Sequence, residues 1–200
     1  MHADHVEQTV ELSGRDVTLL RPASADELID EAAFDEEEFL PYWAELWASG
    51  VALAETVGSL DVAGKRVLEL GAGLGLPSLA AAVRGADVLA TDWAEDAIEL
   101  LRLNAARNRI PLEVARARWD EPAALIAGGP WDLVLGADLL YEARNAEQLL
   151  ALLPQLDAQV LLADPGRPFL RGFLERAAEH WDVETTPADT SVALHHLRLR

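Results

Sequence analysis

From residue 66 almost to the end of the chain, short apolar runs alternate with helical stretches, and this alternation limits the fold more than any other feature. Strand-like runs lie at 66–70 (RVLEL), 87–91 (DVLAT), 112–116 (LEVAR), 132–136 (DLVLG) and 159–163 (QVLLA), and helical patterns at about 76–84, 94–108, 143–153 and 167–180. Strands this far apart in sequence are joined by right-handed crossovers, so the pattern predicts a parallel α/β sheet with helices on both faces. The tail departs from it. Residues 181–185 (WDVET) and 191–199 (SVALHHLRL) read as two strands and a short turn, an antiparallel hairpin added to one sheet edge.

Ahead of the alternation, β-rich runs at 6–12 and 17–20 flank Ser13-Gly14-Arg15-Asp16 and predict an N-terminal hairpin. Residues 26–38 hold eight acidic side chains among thirteen, the composition of a solvated loop or frayed helix. Phe39, Trp43, Leu46, Trp47, Leu53 and Val57 fall at helical spacing and predict an amphipathic helix that starts near Pro41. With 200 residues, half of them hydrophobic, residues 1–200 are expected to form one domain that needs no covalent staple. The N-terminus lacks the pattern of a secretory signal, and no apolar run reaches membrane-spanning length, so a cytoplasmic protein without membrane contact is expected. The absence of cysteine excludes disulfides, thiolate metal sites and cysteine nucleophiles. A formal net charge of -19 repels a phosphate backbone, which argues against nucleic acid as a partner.

Ligands of an open α/β sheet bind at the carboxyl ends of the strands, so the chemistry is sought there. Gly71, Gly73 and Gly75 follow the first strand directly and open a helix, which lets a ligand approach the main chain and is expected to point free amides at it. Leu76 stands where the dinucleotide fingerprint requires glycine or alanine, which argues against a nicotinamide cofactor. Asp92 ends the second strand, 21 residues after Gly71, where a carboxylate accepts hydrogen bonds from vicinal ribose hydroxyls. Trp93 is placed to pack on an adenine face or in the core, and Asp120 or a nearby amide to read the adenine edge. Asp138 and Tyr141 emerge after the fourth strand, three residues apart, as a carboxylate and a phenol able to orient an amine. Asp164-Pro165-Gly166-Arg167 has the order of a type II turn, with Arg167 either part of a plain turn or reaching substrate. Ser49 and Ser78 lack a nucleophile-elbow sequence, and no Walker phosphate loop occurs. Adjacent His195 and His196 point to opposite faces of a strand, and all five histidines are expected to be structural or exposed, with no metal site.

The stretches VLELGAGLGLPSLAAAVRGADVLATD and WDLVLGADLLYE resemble class I S-adenosylmethionine-dependent methyltransferases over roughly residues 38–200. PYWAELWASGVALA at 41–54, DLLY at 138–141 and ADPGRPFL at 163–170 are most similar to the protein-lysine branch, and within it to the electron transfer flavoprotein β-subunit lysine methyltransferases. The resemblance implies a Rossmann-like, doubly wound seven-strand sheet, mostly parallel, with S-adenosylmethionine as cofactor and S-adenosylhomocysteine as product. It assigns the methionine part to the glycine turn, the ribose to Asp92, closure of the cofactor site to Trp47, and the methyl-accepting centre to Asp138 and Tyr141. Arg118 replaces an aspartate common in relatives, which leaves the adenine edge to Asp120. The cofactor-site candidates are thus Trp47, Glu69, Gly71, Gly73, Gly75, Asp92, Trp93, Trp119, Asp120 and Ala137, and the catalytic candidates Asp138 and Tyr141. The acceptor is expected to be a protein lysine ε-amine, with a small-molecule amine as the alternative and a catalytically silent binding module of the same fold as the third reading.

Overall fold

The computed structural model describes residues 5–24 and 41–200. The acidic stretch at 26–38 and Phe39, the first residue of the predicted helical pattern, lie outside them. Two strands, β1 (His5–Leu12) and β2 (Arg15–Pro22), form the N-terminal hairpin. The main sheet has the order β5-β4-β3-β6-β7-β9-β8. Its strands are β3 (Arg66–Leu70), β4 (Asp87–Asp92), β5 (Glu113–Arg116), β6 (Leu133–Ala137), β7 (Gln159–Asp164), β8 (Trp181–Pro187) and β9 (Ala193–Leu199). The first five are parallel, and β9 lies antiparallel to both β7 and β8. Between them run α1 (Ala48–Ser59), α2 (Leu76–Val83), α3 (Glu95–Asn108), α4 (Ala123–Ala127), α5 (Ala143–Leu156) and α6 (Leu170–Ala177).

Successive residues of the central strands enter different cores, as the period of two requires. Val67, Leu135 and Leu161 pack with Leu53 and Val57 of α1 and Leu79 of α2. Leu68, Val134 and Val160 pack with Leu149 and Leu153 of α5 and Phe173 of α6. A sheet covered on both faces leaves ligands only its ends. The N-terminal hairpin joins the first core through Leu12, Val17 and Leu19 and is docked on α3 by two asparagines. Asn104 Oδ1 accepts from Leu20 N (2.7 Å) while its Nδ2 donates to Leu20 O (3.1 Å), and Asn108 makes the same pair of bonds to Thr18 (2.9 and 2.8 Å).

Three local expectations are corrected. The helix predicted from Pro41 begins only at Ala48, because Tyr42–Ala44 forms a single 3-10 turn and Trp47 is extended (ψ 145°). Trp47 Nε1 donates to Tyr42 O (2.8 Å), so the tryptophan closes this turn instead of joining a helical stripe. The helix predicted from residue 167 begins at Leu170, since Asp164 Oδ1 accepts from the amides of both Gly166 and Arg167 (2.7 Å each) and holds them in the preceding turn. Helix α5 runs through Pro154 to Leu156, three residues past the predicted end. The short α4 was not predicted.

Candidate active site

The chain leaves β3 toward one sheet edge and β6 toward the other, so the two neighbours open a crevice at their carboxyl ends. Gly71, Gly73 and Gly75 turn the chain there with φ of +61°, +52° and +75°, in the left-handed region. Space restricts them further: a Cβ on Gly73 would lie 3.0 Å from Trp43 O, and one on Gly75 would lie 2.1 Å from Leu101 Cδ2. The turn's amides, expected to be free, are largely used within the protein. Ala72 N donates to Thr91 O (2.9 Å), Gly73 N to Asp92 Oδ2 (2.9 Å), Gly75 N to Ala72 O (2.7 Å) and Ser78 N to Glu69 Oε2 (2.8 Å). The Glu69 carboxyl therefore occupies the start of α2, where a dinucleotide fold seats its pyrophosphate. That geometry suits a cofactor without phosphate and supports the inference drawn from Leu76.

Two carboxyl groups stand behind the turn, each held by the main chain. Glu69 is buried, takes hydrogen bonds from the amide and hydroxyl of Ser78, and has its pKa pushed by burial up to about 8. Asp92 is also buried, and burial raises its pKa although Gly73 N and Ala94 N (3.0 Å) donate to it. A carboxylate has about four acceptor positions, so Asp92 keeps capacity for ribose hydroxyls. Trp93 and Trp119 are half-buried in the same cleft, and the Trp119 ring lies over the turn, 3.4 Å from where a Gly71 Cβ would be. Asp120 lines the cleft at its exposed rim and is held by the Arg118 guanidinium through two 3.0 Å bonds, which lowers its pKa.

Across the cleft, β6 ends at Ala137 and Asp138 follows with a left-handed φ of 60°. Its amide donates to Ala163 O (2.9 Å), and its buried carboxylate takes a two-pronged contact from Arg167: Nε to Oδ1 at 2.5 Å and Nη2 to Oδ2 at 3.1 Å. The Arg167 guanidinium also lies over the Trp47 ring, 5.5 Å from its centroid. Tyr42 joins the aromatic groups, its ring 6.3 Å from that of Trp47 and 5.1 Å from that of Tyr141. Burial raises the Tyr141 pKa, opposed by a hydrogen bond from Asn145, whose Nδ2 also donates to Leu139 O (2.9 Å).

All twelve cofactor-site and catalytic candidates line this one cleft. Sequence reasoning missed Tyr42, Trp43 and Asn145, and left Arg167 between a plain turn and a functional contact. The pairing of Arg167 with Asp138 spans 29 residues and follows from β6 and β7 being neighbours, which no local motif announces. Ser78 serves Glu69 and not a nucleophile. His195 faces Thr185 (2.9 Å) and His196 faces Gln159 (3.2 Å). Among the described residues no group of acidic, histidine or cysteine side chains is arranged to hold a metal, and no helix is long and apolar enough to cross a membrane.

This strand order, with cleft-lining residues at the ends of β3, β4 and β6, is the fold of class I S-adenosylmethionine-dependent methyltransferases. A 16S rRNA N2 G1207 methyltransferase of T. thermophilus, solved with AdoMet and guanosine, shares it with a TM-score of 0.66 over 98% of this chain and 51% of that one, at 18% identity. The profile of the lysine methyltransferase family matches residues 34–163, and the chain belongs to that S-adenosylmethionine-dependent family. Protein N-lysine methyltransferase METTL21A of Danio rerio is 40% identical over 60% of this chain and 59% of its own length. The human electron transfer flavoprotein beta subunit lysine methyltransferase is 32% identical over 76% of this chain and 61% of its own length. Histone-arginine methyltransferase METTL23 of Xenopus laevis is 32% identical over 82% of this chain and 71% of its own length. The chain thus spans about three-fifths of the first two relatives.

Proposed function

We propose that residues 1–200 act as a single catalytic domain that transfers a methyl group from S-adenosylmethionine to a lysine ε-amine of a protein, in the cytoplasm. The observation that carries this reading is the meeting, in one cleft, of the glycine turn and Asp92 with Asp138, Tyr141 and their aromatic neighbours. In this reading the turn from Gly71 to Gly75, backed by Glu69, receives the methionine part, and Asp92 receives the ribose hydroxyls. Trp93, Trp119 and Asp120 surround the adenine, while Ala137 and Trp47 border the methyl. S-adenosylmethionine held there would supply a sulfonium methyl for in-line attack by the acceptor nitrogen lone pair, with the C–S electron pair leaving on sulfur. Asp138 and Tyr141 orient the acceptor nitrogen, and the aromatic rings around them exclude water. Because the leaving group needs no help, the protein's main contribution is alignment.

Titration calorimetry tests the cofactor: S-adenosylmethionine or S-adenosylhomocysteine is expected to bind and NAD not to, and NAD binding with no heat from either sulfur ligand would reverse the assignment. Incubation with labelled S-adenosylmethionine and a lysate of the source organism, followed by mass spectrometry, tests the acceptor. Label on protein lysine is expected. Label confined to small metabolites would establish a small-amine methyltransferase, and label on arginine would place the chain functionally beside its arginine-modifying relative.

A further inference from the structure

Arg167 is held at the acceptor side of the cleft by its backbone and by its side chain. Its amide and that of Gly166 (φ +91°) are bound by Asp164 Oδ1, which fixes the turn. Its guanidinium covers both carboxylate oxygens of Asp138 and lies over Trp47, while Tyr42 and Tyr141 continue the aromatic surface. A buried carboxylate beside aromatic faces is the environment that binds an alkylammonium ion. Here that environment already contains a cation from the chain itself.

We propose that Arg167 is the resident cation of this cage, occupying the place on Asp138 and Trp47 that an acceptor ammonium would take, so that the site admits its acceptor as the neutral amine. The proposal rests on the amine-methyltransferase reading and deepens it. An unpaired Asp138 would stabilise an ammonium and raise its pKa, and a protonated nitrogen has no lone pair with which to attack. Paired with Arg167, Asp138 contributes no net charge. The acceptor ammonium then gives its proton to water outside the cleft, and the amine enters. The other charged or titratable groups of this region are Asp164 at the end of β7, Tyr42 and Glu45 before α1, Asp92 at the end of β4, the paired Arg118 and Asp120 after β5, Tyr141 and Glu142 after β6, and Arg144 in the first turn of α5, with Glu142 and Arg144 themselves paired at 2.6 Å. In this scheme Arg167 is a positioning residue, acting on the acceptor through Asp138.

The test uses a permanent cation, butyltrimethylammonium, titrated into the wild-type protein, Arg167→Met and Arg167→Lys. Arg167→Met is expected to bind it about ten-fold more tightly than the wild type, Arg167→Lys to match the wild type, and the double variant Asp138→Asn/Arg167→Met to lose the gain. Equal affinity in the wild type and Arg167→Met overturns the proposal. Thermal midpoints and S-adenosylhomocysteine binding report whether each variant is folded, and Arg167→Gln replaces Arg167→Met if the latter is not. In methyl transfer, the acid limb of the kcat profile, which reports the bound acceptor, should move up by about one pH unit in Arg167→Met and stay in place in Arg167→Lys. An unmoved limb also overturns the proposal. If the cation titration gives its expected gain while the wild type methylates no amine, the cage stands and the methyltransferase reading fails.

Discussion

The two sides of the cleft are built by different means. On the β3–β4 side, Glu69 and Asp92 are buried carboxyl groups held by amides of the glycine turn and of the helix starts beside it, groups that the fold itself places. On the β6–β7 side, Asp138 is held by the side chain of Arg167, and the neighbouring rings of Tyr42 and Trp47 are exposed by 42% and 37%. Main-chain donors cannot change rotamer, whereas a side-chain partner can. The difference teaches that the first side is held rigidly by the main chain, whereas the second depends on side chains with rotamer freedom.

The largest effect is expected from Asp92→Ala, which attacks the rigidly held side. It leaves the buried amides of Gly73 and Ala94 without their acceptor, at about 1–3 kcal/mol each. Urea unfolding should show a loss of roughly 2–6 kcal/mol, and calorimetry a fall in cofactor affinity of about five- to 150-fold. Wild-type affinity in this variant would mean that the turn stands without its carboxylate and that the ribose lies elsewhere.

A smaller and more selective effect is expected from Asp138→Ala and Tyr141→Phe. Turnover should fall by about a hundredfold while cofactor affinity changes by less than about threefold, if these groups act on the acceptor as proposed. Single-turnover kinetics beside calorimetry separates the two quantities. Equal losses in both would make the two sides of the cleft one unit and remove the contrast.

An effect confined to a window of pH is expected from Glu69→Gln, and it sharpens the description of the first side. With its pKa raised from 4.5 to about 8, folded Glu69 keeps a proton that the unfolded chain releases. Its contribution to stability is therefore full below pH 4.5, declines as pH rises toward 8, and changes no further above that. Glutamine mimics the protonated form at every pH, so the urea midpoint of the variant, relative to wild type, should rise between pH 5 and pH 8. Parallel profiles would show that Glu69 is ionised in the folded protein.

What the sequence disclosed follows the range of each interaction. The five parallel strands, both hairpins and the cleft-lining residues at strand ends were legible because apolar periodicity and glycine turns act over a few residues. The segment before α1 was misread for the same reason: Trp43, Leu46 and Trp47 repeat at helical spacing, yet Trp47 bonds back to Tyr42 and the Trp43 backbone lies against Gly73. The five-residue α4 is too short to display a period. The roles of Glu69 and Arg167 depend on partners nine and 29 residues away, and that of Arg167 needs the strand order as well.

The paired asparagines of α3 have a consequence for the hairpin they hold. Two side-chain amides one helical turn apart match the spacing of alternate residues along an extended chain, so this face of α3 presents itself to β2 as if it were another strand. The outward edge of β2 at Thr18 and Leu20 is thereby closed to pairing with a second molecule, a protection that two-stranded sheets usually lack. It also fixes the hairpin's register, because a slip of β2 by one residue would turn the bonded amide and carbonyl groups away and carry Val17 and Leu19 out of the core.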